Sequence, residues 1–258
     1  MNLDMRLVYN NLQYHPSGFC AKIRGMIQKE LRAYADPKKA KDLQRFFKTG
    51  PGEYAEGDHF LGIYVPILRT FARRYAALPT PELQVLIKSS FHEERALALF
   101  ILKLQFEHGD AKDQKRILGF YLKHRRYINN WDLVDVTTPY IVGASLFNKK
   151  RDLLYKYACS RNLWERRISI IATAYFIREG DFADTLKIAN ILLNDEHDLI
   201  HKAVGWMLRE VGKRDQGVLE KFLNRNSRQM PRTMLRYAIE RLPERKRKYY
   251  LNLKSEFL

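Results

Sequence analysis

The sequence contains few cysteines, glycines and prolines. Its two cysteines, Cys20 and Cys159, allow at most one disulfide among 258 residues. Neither belongs to a Cys/His cluster with zinc-ligand spacing, which excludes the common structural zinc modules. The 13 glycines and 9 prolines are scattered, so collagen-like and Pro/Gly-rich disordered chains are excluded as well. The composition favours a globular protein of a reducing compartment.

Long apolar runs and the common nucleotide-binding motifs are also absent. The most apolar stretch, ALALFILKLQF at 96–106, is too short to span a bilayer. The first ten residues, MNLDMRLVYN, lack the apolar core of a signal peptide. No GxGxxG, P-loop or HExxH motif occurs. We therefore expect a cytoplasmic protein with no cofactor, no metal and no membrane attachment.

Acidic residues are outnumbered by basic ones. The chain has 46 Lys plus Arg and 29 Asp plus Glu, a formal net charge of +17, and its pI is near 9.8. A protein this basic most often binds a polyanion, and nucleic acid is favoured over an anionic membrane surface. A charge that serves only solubility is the remaining alternative. The 46% hydrophobic and 12% aromatic residues predict a sizeable core rather than disorder.

Helical periodicity dominates the sequence. Apolar residues recur at i, i+3, i+4 and i+7, and no convincing pair of strands can be found. The segments with this pattern are 21–35, 65–78, 81–91, 95–109, 113–125, 163–180, 182–193, 199–212 and 217–226. The segment KTGPGEYAEGDHFLG at 48–62 lacks the pattern and is predicted to be a long connection. The sequence therefore predicts an all-α protein.

The helical segments carry an internal repeat. Five positions that open amphipathic stretches, Arg95, Trp131, Arg166, Lys202 and Arg236, recur at intervals of 34–36 residues. Two helices and two turns fill such an interval, and stacked units of this kind form α-solenoids. We predict a right-handed α-solenoid of HEAT-like two-helix repeats, although an irregular helical bundle with a chance period is the alternative.

The predicted domain organisation is a single domain over residues 1–258. It would comprise N-terminal helices at about 1–60, regular repeats at about 61–243 and a basic C-terminal tail at 244–258.

The repeat register brings four side chains of distinctive chemistry together. Trp131, Asp135, Arg167 and Trp206 occupy positions 0, +4, +1 and +4 of successive units. On a helix these positions lie on adjacent parts of one face. We therefore expect the four residues to converge on one surface, which is a cleft if that surface is the concave one. For each tryptophan alone, packing in the core is the stronger alternative.

The two carboxylates of NNWDLVD differ in how well helix capping explains them. Asn130 is a good N-cap, and Asp132 then falls in the first turn, where acidic residues are favoured. Asp135 lies past that turn. Pro139 cannot donate a hydrogen bond to the carbonyl of Asp135, so the helix should end or kink there. Asp135, rather than Asp132, is the functional candidate, with a solvated surface acid as the alternative.

Basic residues are interleaved along the repeats and could follow a phosphate backbone, in contacts that would be independent of sequence and sensitive to salt. Each alone could equally be a solvated charge. The candidates for DNA binding are Arg126, Arg166, Lys202, Lys213, Arg214, Arg232 and Arg236.

Five motifs in this order carry a family resemblance: DHFLGIYVPILR, YINNWDLVD, NLWERRISII, HKAVGWMLREVGK and MPRTMLRYAIERLP. Together they make residues 20–243 similar to the DNA alkylation repair family of HEAT-like-repeat glycosylases, the AlkD type. The resemblance implies an α-solenoid whose concave face holds duplex DNA. It also implies release of N3- and N7-alkylated purines as free bases, without metal or cofactor.

The family's site residues map onto the four converging positions. The resemblance implies that Asp135 is the catalytic aspartate, that Trp131 and Trp206 are the cleft tryptophans, and that Arg167 is the cleft arginine, with Arg166 as the alternative. It predicts a monomer that acts on DNA in the nucleoid.

Two other functions stay open at this point. Relatives that bind damaged or branched DNA without excising bases suggest a non-catalytic DNA-binding protein. A HEAT-type protein scaffold is a third hypothesis, against which the net charge weighs.

Overall fold

The structure is a computed structural model that describes the backbone of residues 18–253 and the side chains of residues 25–253. The N-terminal segment examined for a signal peptide and the Cys20 side chain lie outside the described residues. The chain divides into two compact units, Met1–Ile101 and Leu102–Leu258. The single-domain organisation with boundaries near 60 and 243 stays a prediction.

Unit 1 is built from helices joined by turns. An isolated parallel β-bridge also joins His59 to Phe91. The helices are α1 (Gly18–Arg32), α2 (Pro37–Phe46), α3 (Val65–Arg74), α4 (Thr80–Ile87) and α5 (His92–His108), and the division between the units falls within α5. Of these, α2 was not predicted, because its sequence PKKAKDLQRF is short and rich in charged residues.

The predicted connection at 48–62 contains no helix, yet it is firmly held. The buried Glu93 carboxylate accepts backbone N–H groups of Leu61, Gly62 and Ile63 at 2.8–3.2 Å. Gly62 has a φ of +81°, and a Cβ there would lie 2.2 Å from the Asp36 carbonyl oxygen. The segment is thus fixed by backbone donors to a buried carboxylate, which no periodicity reveals.

Unit 2 contains helices of unequal length. Its two longest, which begin at residues 163 and 198, are each followed by a shorter helix. The elements are α6 (Ala111–His124), a 3₁₀ turn (Arg125–Tyr127), α7 (Trp131–Asp135), a π-helical turn (Pro139–Gly143) that continues into α8 (Ala144–Leu146), α9 (Asp152–Ala158), α10 (Leu163–Arg178), α11 (Ala183–Ile191), α12 (Asp198–Arg214), α13 (Gln216–Asn226), α14 (Arg232–Ile239) and α15 (Glu244–Asn252).

The helices α10, α12 and α14 pack side by side, and α7 with the π-helical turn packs against α10. Two glycines permit the close approaches. A Cβ on Gly143 would lie 2.4 Å from the Ala172 carbonyl oxygen, and one on Gly205 would lie 2.5 Å from that of Met234. No side chain fits at either position, so the backbones themselves are in contact along this row.

The prediction of an all-α protein is confirmed, and the arrangement of unit 2 is consistent with an α-solenoid. The segment 244–258, predicted as a basic tail, is helical over Glu244–Asn252, and Tyr250 is buried. The run of charges ERKRK gives this segment no apolar periodicity from which a helix could be predicted. Within the described part of the chain no helix is both long and apolar enough to cross a membrane.

Candidate active site

The short helix α7 is set by its two ends. Asn130, in extended conformation, is the N-cap, and its side chain accepts a hydrogen bond from the Trp131 backbone N–H at 2.8 Å. The helix ends at Asp135, as expected from the proline four residues later, which has no N–H to continue the ladder. Leu133 and Val134 are buried and fix the helix to unit 2. Both predictions for this turn, the N-cap and the stop, are confirmed.

Asp135 forms a bidentate ion pair with Arg167 of α10. The guanidinium donates from Nε to Oδ1 at 2.8 Å and from Nη2 to Oδ2 at 2.7 Å. The side chains are 13% and 5% exposed, respectively. The remaining Nη1 of Arg167 donates to the carbonyl of Leu199, at the start of α12. Arg167 therefore joins α7, α10 and the start of α12. The planar guanidinium can bind both oxygens of a carboxylate at once, as it does here.

Burial raises the pKa of the Asp135 carboxyl above its ordinary value, while the positive charge and hydrogen bonds of Arg167 act in the opposite direction, and the nearby charge of Asp132 adds to the rise. The carboxylate form is therefore only partly compensated by its surroundings. A buried anion in this condition gains free energy when further positive charge comes near it.

The two predicted tryptophans lie on α7 and α12, the elements that pack against α10 on its two sides. Trp131 stands one helical turn before Asp135, so both side chains emerge on the same face of α7. Trp206 is half-buried, and its Nε1 donates to Glu210 Oε1 at 3.1 Å. That bond uses the only donor of the indole, which leaves the ring for stacking or cation–π contact. Trp164, by contrast, is buried in the core.

Arg166 and Arg167 have separate roles in the structure. The Nε of Arg166 donates to Asp195 at 2.6 Å, and its Nη1 donates to the carbonyls of Ser160 and Arg161, both at 3.0 Å. This guanidinium holds the turn before α10 to the loop before α12. Arg167 alone of the two lies beside Asp135.

The other candidates for DNA binding are at least partly exposed. Lys202 pairs with Asp198 at 2.7 Å and Lys213 with Glu210 at 2.6 Å, both within α12. Arg232 donates to the carbonyl of Leu251 at 2.9 Å. The exposed side chains among them are those of Arg126, Lys213, Arg214, Arg232 and Arg236. Contact of these residues with DNA stays a prediction.

Two neighbours of the site were missed in the sequence. Glu210 holds the Trp206 ring and lies four residues after it, a spacing that could have indicated the contact. Tyr121 is fully buried and hydrogen-bonds to Thr138 Oγ1 at 2.8 Å. Burial raises the pKa of Tyr121 to about 12, with a contribution from the charge of Asp135. No sequence signal links Tyr121 to Asp135.

Between residues 25 and 253, where side chains are described, no group of three or more His, Cys, Asp or Glu side chains could hold a metal ion. The site instead offers one buried, partly compensated carboxylate with aromatic rings on the adjoining helices. Such a group can stabilise a developing positive charge and can hold a water molecule by its lone pairs.

Comparison with known proteins adds an independent finding. The family model of the DNA alkylation repair enzyme matches residues 27–242. The solved structure of a predicted DNA alkylation repair enzyme from Enterococcus faecalis is similar in fold, with a TM-score of 0.64 and 16% sequence identity, over 81% of this chain and 97% of that one. None of the curated proteins matches. Because the family model matches most of this chain, the chain belongs to the DNA alkylation repair enzyme family.

Proposed function

We propose that the protein is a monofunctional, metal-independent DNA glycosylase that hydrolyses the N-glycosidic bond of cationic N3- and N7-alkylated purines in duplex DNA. The observation that carries this proposal is the Asp135–Arg167 pair, a buried carboxylate whose pKa is raised despite its bidentate partner. Membership in the family supports a role in the repair of alkylated DNA, and the net charge of +17 suits a polyanionic substrate.

The lesion itself makes a single carboxylate sufficient. Alkylation at N3 or N7 places a positive charge on the purine, so the base leaves without being protonated. The enzyme has to stabilise the oxocarbenium-like sugar and orient a water molecule. One carboxylate can do both, and a second carboxylic acid, needed where the leaving group is a poor one, is dispensable here.

The other three residues support that step. Trp131 and Trp206 can pack their ring faces on the deoxyribose, where each attracts the growing positive charge by about 0.5–2 kcal/mol. Arg167 orients Asp135. Arg167 donates three of its five N–H groups to Asp135 and to the carbonyl of Leu199. The two that remain can contact a DNA phosphate. We propose that the protein acts as a monomer on DNA of the nucleoid.

A second function is favoured by the same ion pair. Both oxygens of Asp135 are bound by Arg167, as in a cross-link whose only task is to hold α7 to α10. In that case the protein binds damaged or branched DNA without excising a base, and DNA affinity falls with rising salt.

The decisive experiment measures the release of free N7-methylguanine and N3-methyladenine from methylated duplex DNA, with spontaneous release subtracted. We expect Asp135→Asn to lower turnover by about 10²–10³-fold, the loss typical of a single electrostatic group, while DNA affinity stays near that of the wild type. Asp132→Asn is the matched control and should retain activity, since Asp132 accepts a hydrogen bond from the backbone N–H of Leu133.

Binding without release by the wild type would favour the non-catalytic function. A larger loss in Asp132→Asn than in Asp135→Asn would contradict the assignment of the catalytic carboxylate.

A further inference from the structure

A groove of about 650 Å³ lies between α11 and α13 of unit 2. These helices contribute none of the site residues described above. The groove is lined on its apolar side by Ile191, Val218 and Phe222. Ile191 is 43% exposed, one of the more exposed large hydrophobic side chains of the described residues. A concave site with apolar walls and a few polar groups is the usual form of a binding site in proteins.

The polar rim of the groove carries one sign of charge. Lys187, Lys221 and Arg225 line it and are exposed, and the other polar lining residues are two asparagines. Among the described residues that line the groove there is no aspartate or glutamate. The potential inside is therefore positive, and it is focused by the apolar walls.

The junctions on either side of the groove are closed by polar contacts. Between α9 and α11, Arg151 donates to Asp181 at 2.6 Å and also binds Asp184. Between α13 and α15, Tyr250 donates to Asn224 at 2.8 Å. Within the described part of the chain, no hydrogen bond or ion pair joins α11 to α13. Of these three junctions between neighbouring helices, the one between α11 and α13 lacks such contacts, and it is also the one lined by cationic side chains.

We infer that this groove is a docking surface for an acidic, amphipathic segment of a partner protein. Apolar side chains of the segment would lie over Ile191 and Phe222, and its carboxylates would meet Lys187, Lys221 and Arg225. A DNA backbone offers phosphates but no side chain that fills an apolar groove, so the lining favours a polypeptide over a nucleic acid. An amphipathic helix laid in a groove is a common form of such recognition.

The probe for this inference is a phage-displayed library of random peptides, selected on the full-length protein. A groove variant carries Lys187→Glu, Lys221→Glu and Arg225→Glu. The matched control carries the same change in charge on α6, where Lys112, Lys115 and Lys123 are exposed, as Lys→Glu at all three. Circular dichroism checks that each variant folds. If the groove variant does not fold, a second variant replaces the same three residues by glutamine: Lys187→Gln, Lys221→Gln and Arg225→Gln.

Peptides enriched on the wild type and on the α6 control, but not on the groove variant, should combine acidic residues with apolar residues at helical spacing. Their affinity should fall by about tenfold or more in the groove variant and should weaken with salt. Release of alkylated bases should equal that of the wild type in all these proteins.

Three results would overturn the inference: no peptides enriched over the groove variant, enriched peptides without acidic residues, or a fall in affinity for duplex DNA confined to the groove variant. The last would assign these cations to a nucleic-acid surface.

Discussion

Each unit of the chain holds a largely buried ion pair between an aspartate and an arginine, Asp58–Arg95 in unit 1 and Asp135–Arg167 in unit 2, and the two pairs differ in what surrounds them. In unit 1, Asp58 accepts from Arg95 Nη2 at 2.6 Å and contacts His92 Nδ1 at 3.1 Å, with the Asp58 side chain 1% exposed. In unit 2, Arg167 binds both oxygens of Asp135, and the other charge that shifts the pKa of Asp135 is that of an acid, Asp132.

The titration of the two carboxyls follows from these surroundings. Burial by itself would raise the pKa of Asp58, but the hydrogen bond from His92 and the charge of Arg95 outweigh it, so that the pKa of Asp58 lies below its ordinary value. Burial raises the pKa of Asp135, and Arg167 does not overcome the rise. The two aspartates are both paired with an arginine, yet the pKa of one is lowered and the pKa of the other is raised.

Under the proposed function, the difference separates a structural anion from a reactive one. Asp58 is fully compensated and gains little from any additional cation. Asp135 is under-compensated, so a positive charge that develops beside it is stabilised more strongly than it would be in water. Proteins commonly place such perturbed carboxyls at functional sites, and this contrast favours the proposed catalytic role of Asp135 over a simple cross-link.

The largest expected effect that tests the contrast is on stability. Asp58→Asn leaves Arg95 buried without a carboxylate, and breaking a buried pair in this way costs about 3–5 kcal/mol of unfolding free energy. We expect a smaller loss for Asp135→Asn, because an amide replaces an anion that burial already disfavours. Urea denaturation measures both.

Base release by the folded fraction of Asp58→Asn should equal that of the wild type. Equal losses of stability in the two variants, or lost catalysis in folded Asp58→Asn, would contradict the division into structural and reactive pairs.

How far the sequence predicted these pairs differs between the units. The site in unit 2 follows from local rules: Asn130 caps α7, Pro139 stops it, and the repeat register places Arg167 near Asp135. The Asp58–Arg95 pair in unit 1 was not predicted, because Asp58 lies in the Gly-rich connection at 48–62. That connection is held in place by Glu93, which binds backbone N–H groups of the connection and of the residue after it. Helix periodicity describes faces of helices, and it carries no information about a loop held by side chains distant in sequence.

A second test concerns the arginine of the reactive pair. Arg167→Ala removes the partner that keeps Asp135 ionised and oriented, so we expect base release to fall by about tenfold or more, with weaker DNA binding. Arg166→Ala is the matched control, because that guanidinium binds Asp195 and two carbonyls instead. Its effect should be on thermal stability, with activity of the folded protein retained. Unchanged activity in Arg167→Ala would move the assignment to Arg166.

The third test measures the pH dependence of base release and of folding. If Asp135 is the catalytic carboxylate, its raised pKa means that kcat/KM declines as pH falls through that raised value. The stabilisation from Asp58 is present above the unfolded pKa of about 3.8 and is lost only as pH falls through its lowered folded pKa. Base release should therefore disappear while the protein is still folded by circular dichroism.

Asp132→Asn sharpens the pH experiment. The charge of Asp132 adds to the rise in the pKa of Asp135, so its removal should move the acid limb of kcat/KM to lower pH. An unmoved limb, or one that coincides with unfolding, would mean that the titration reports the fold and not Asp135.

The smallest expected effect concerns the aromatic rings. Trp206→Ala removes a cation–π contact of about 0.5–2 kcal/mol, which corresponds to a fall of roughly 2–30-fold in base release. Glu210→Gln keeps an acceptor for Trp206 Nε1 and loses the pair with Lys213 at 2.6 Å and the longer contact with Arg209 at 3.9 Å, so a change of about twofold or less is expected. Neither variant should move the acid limb, because neither contacts Asp135. A loss in Glu210→Gln as large as in Trp206→Ala would mean that the charge of Glu210, and not the indole face, stabilises the cation, and a second carboxylate would then have to be added to the site.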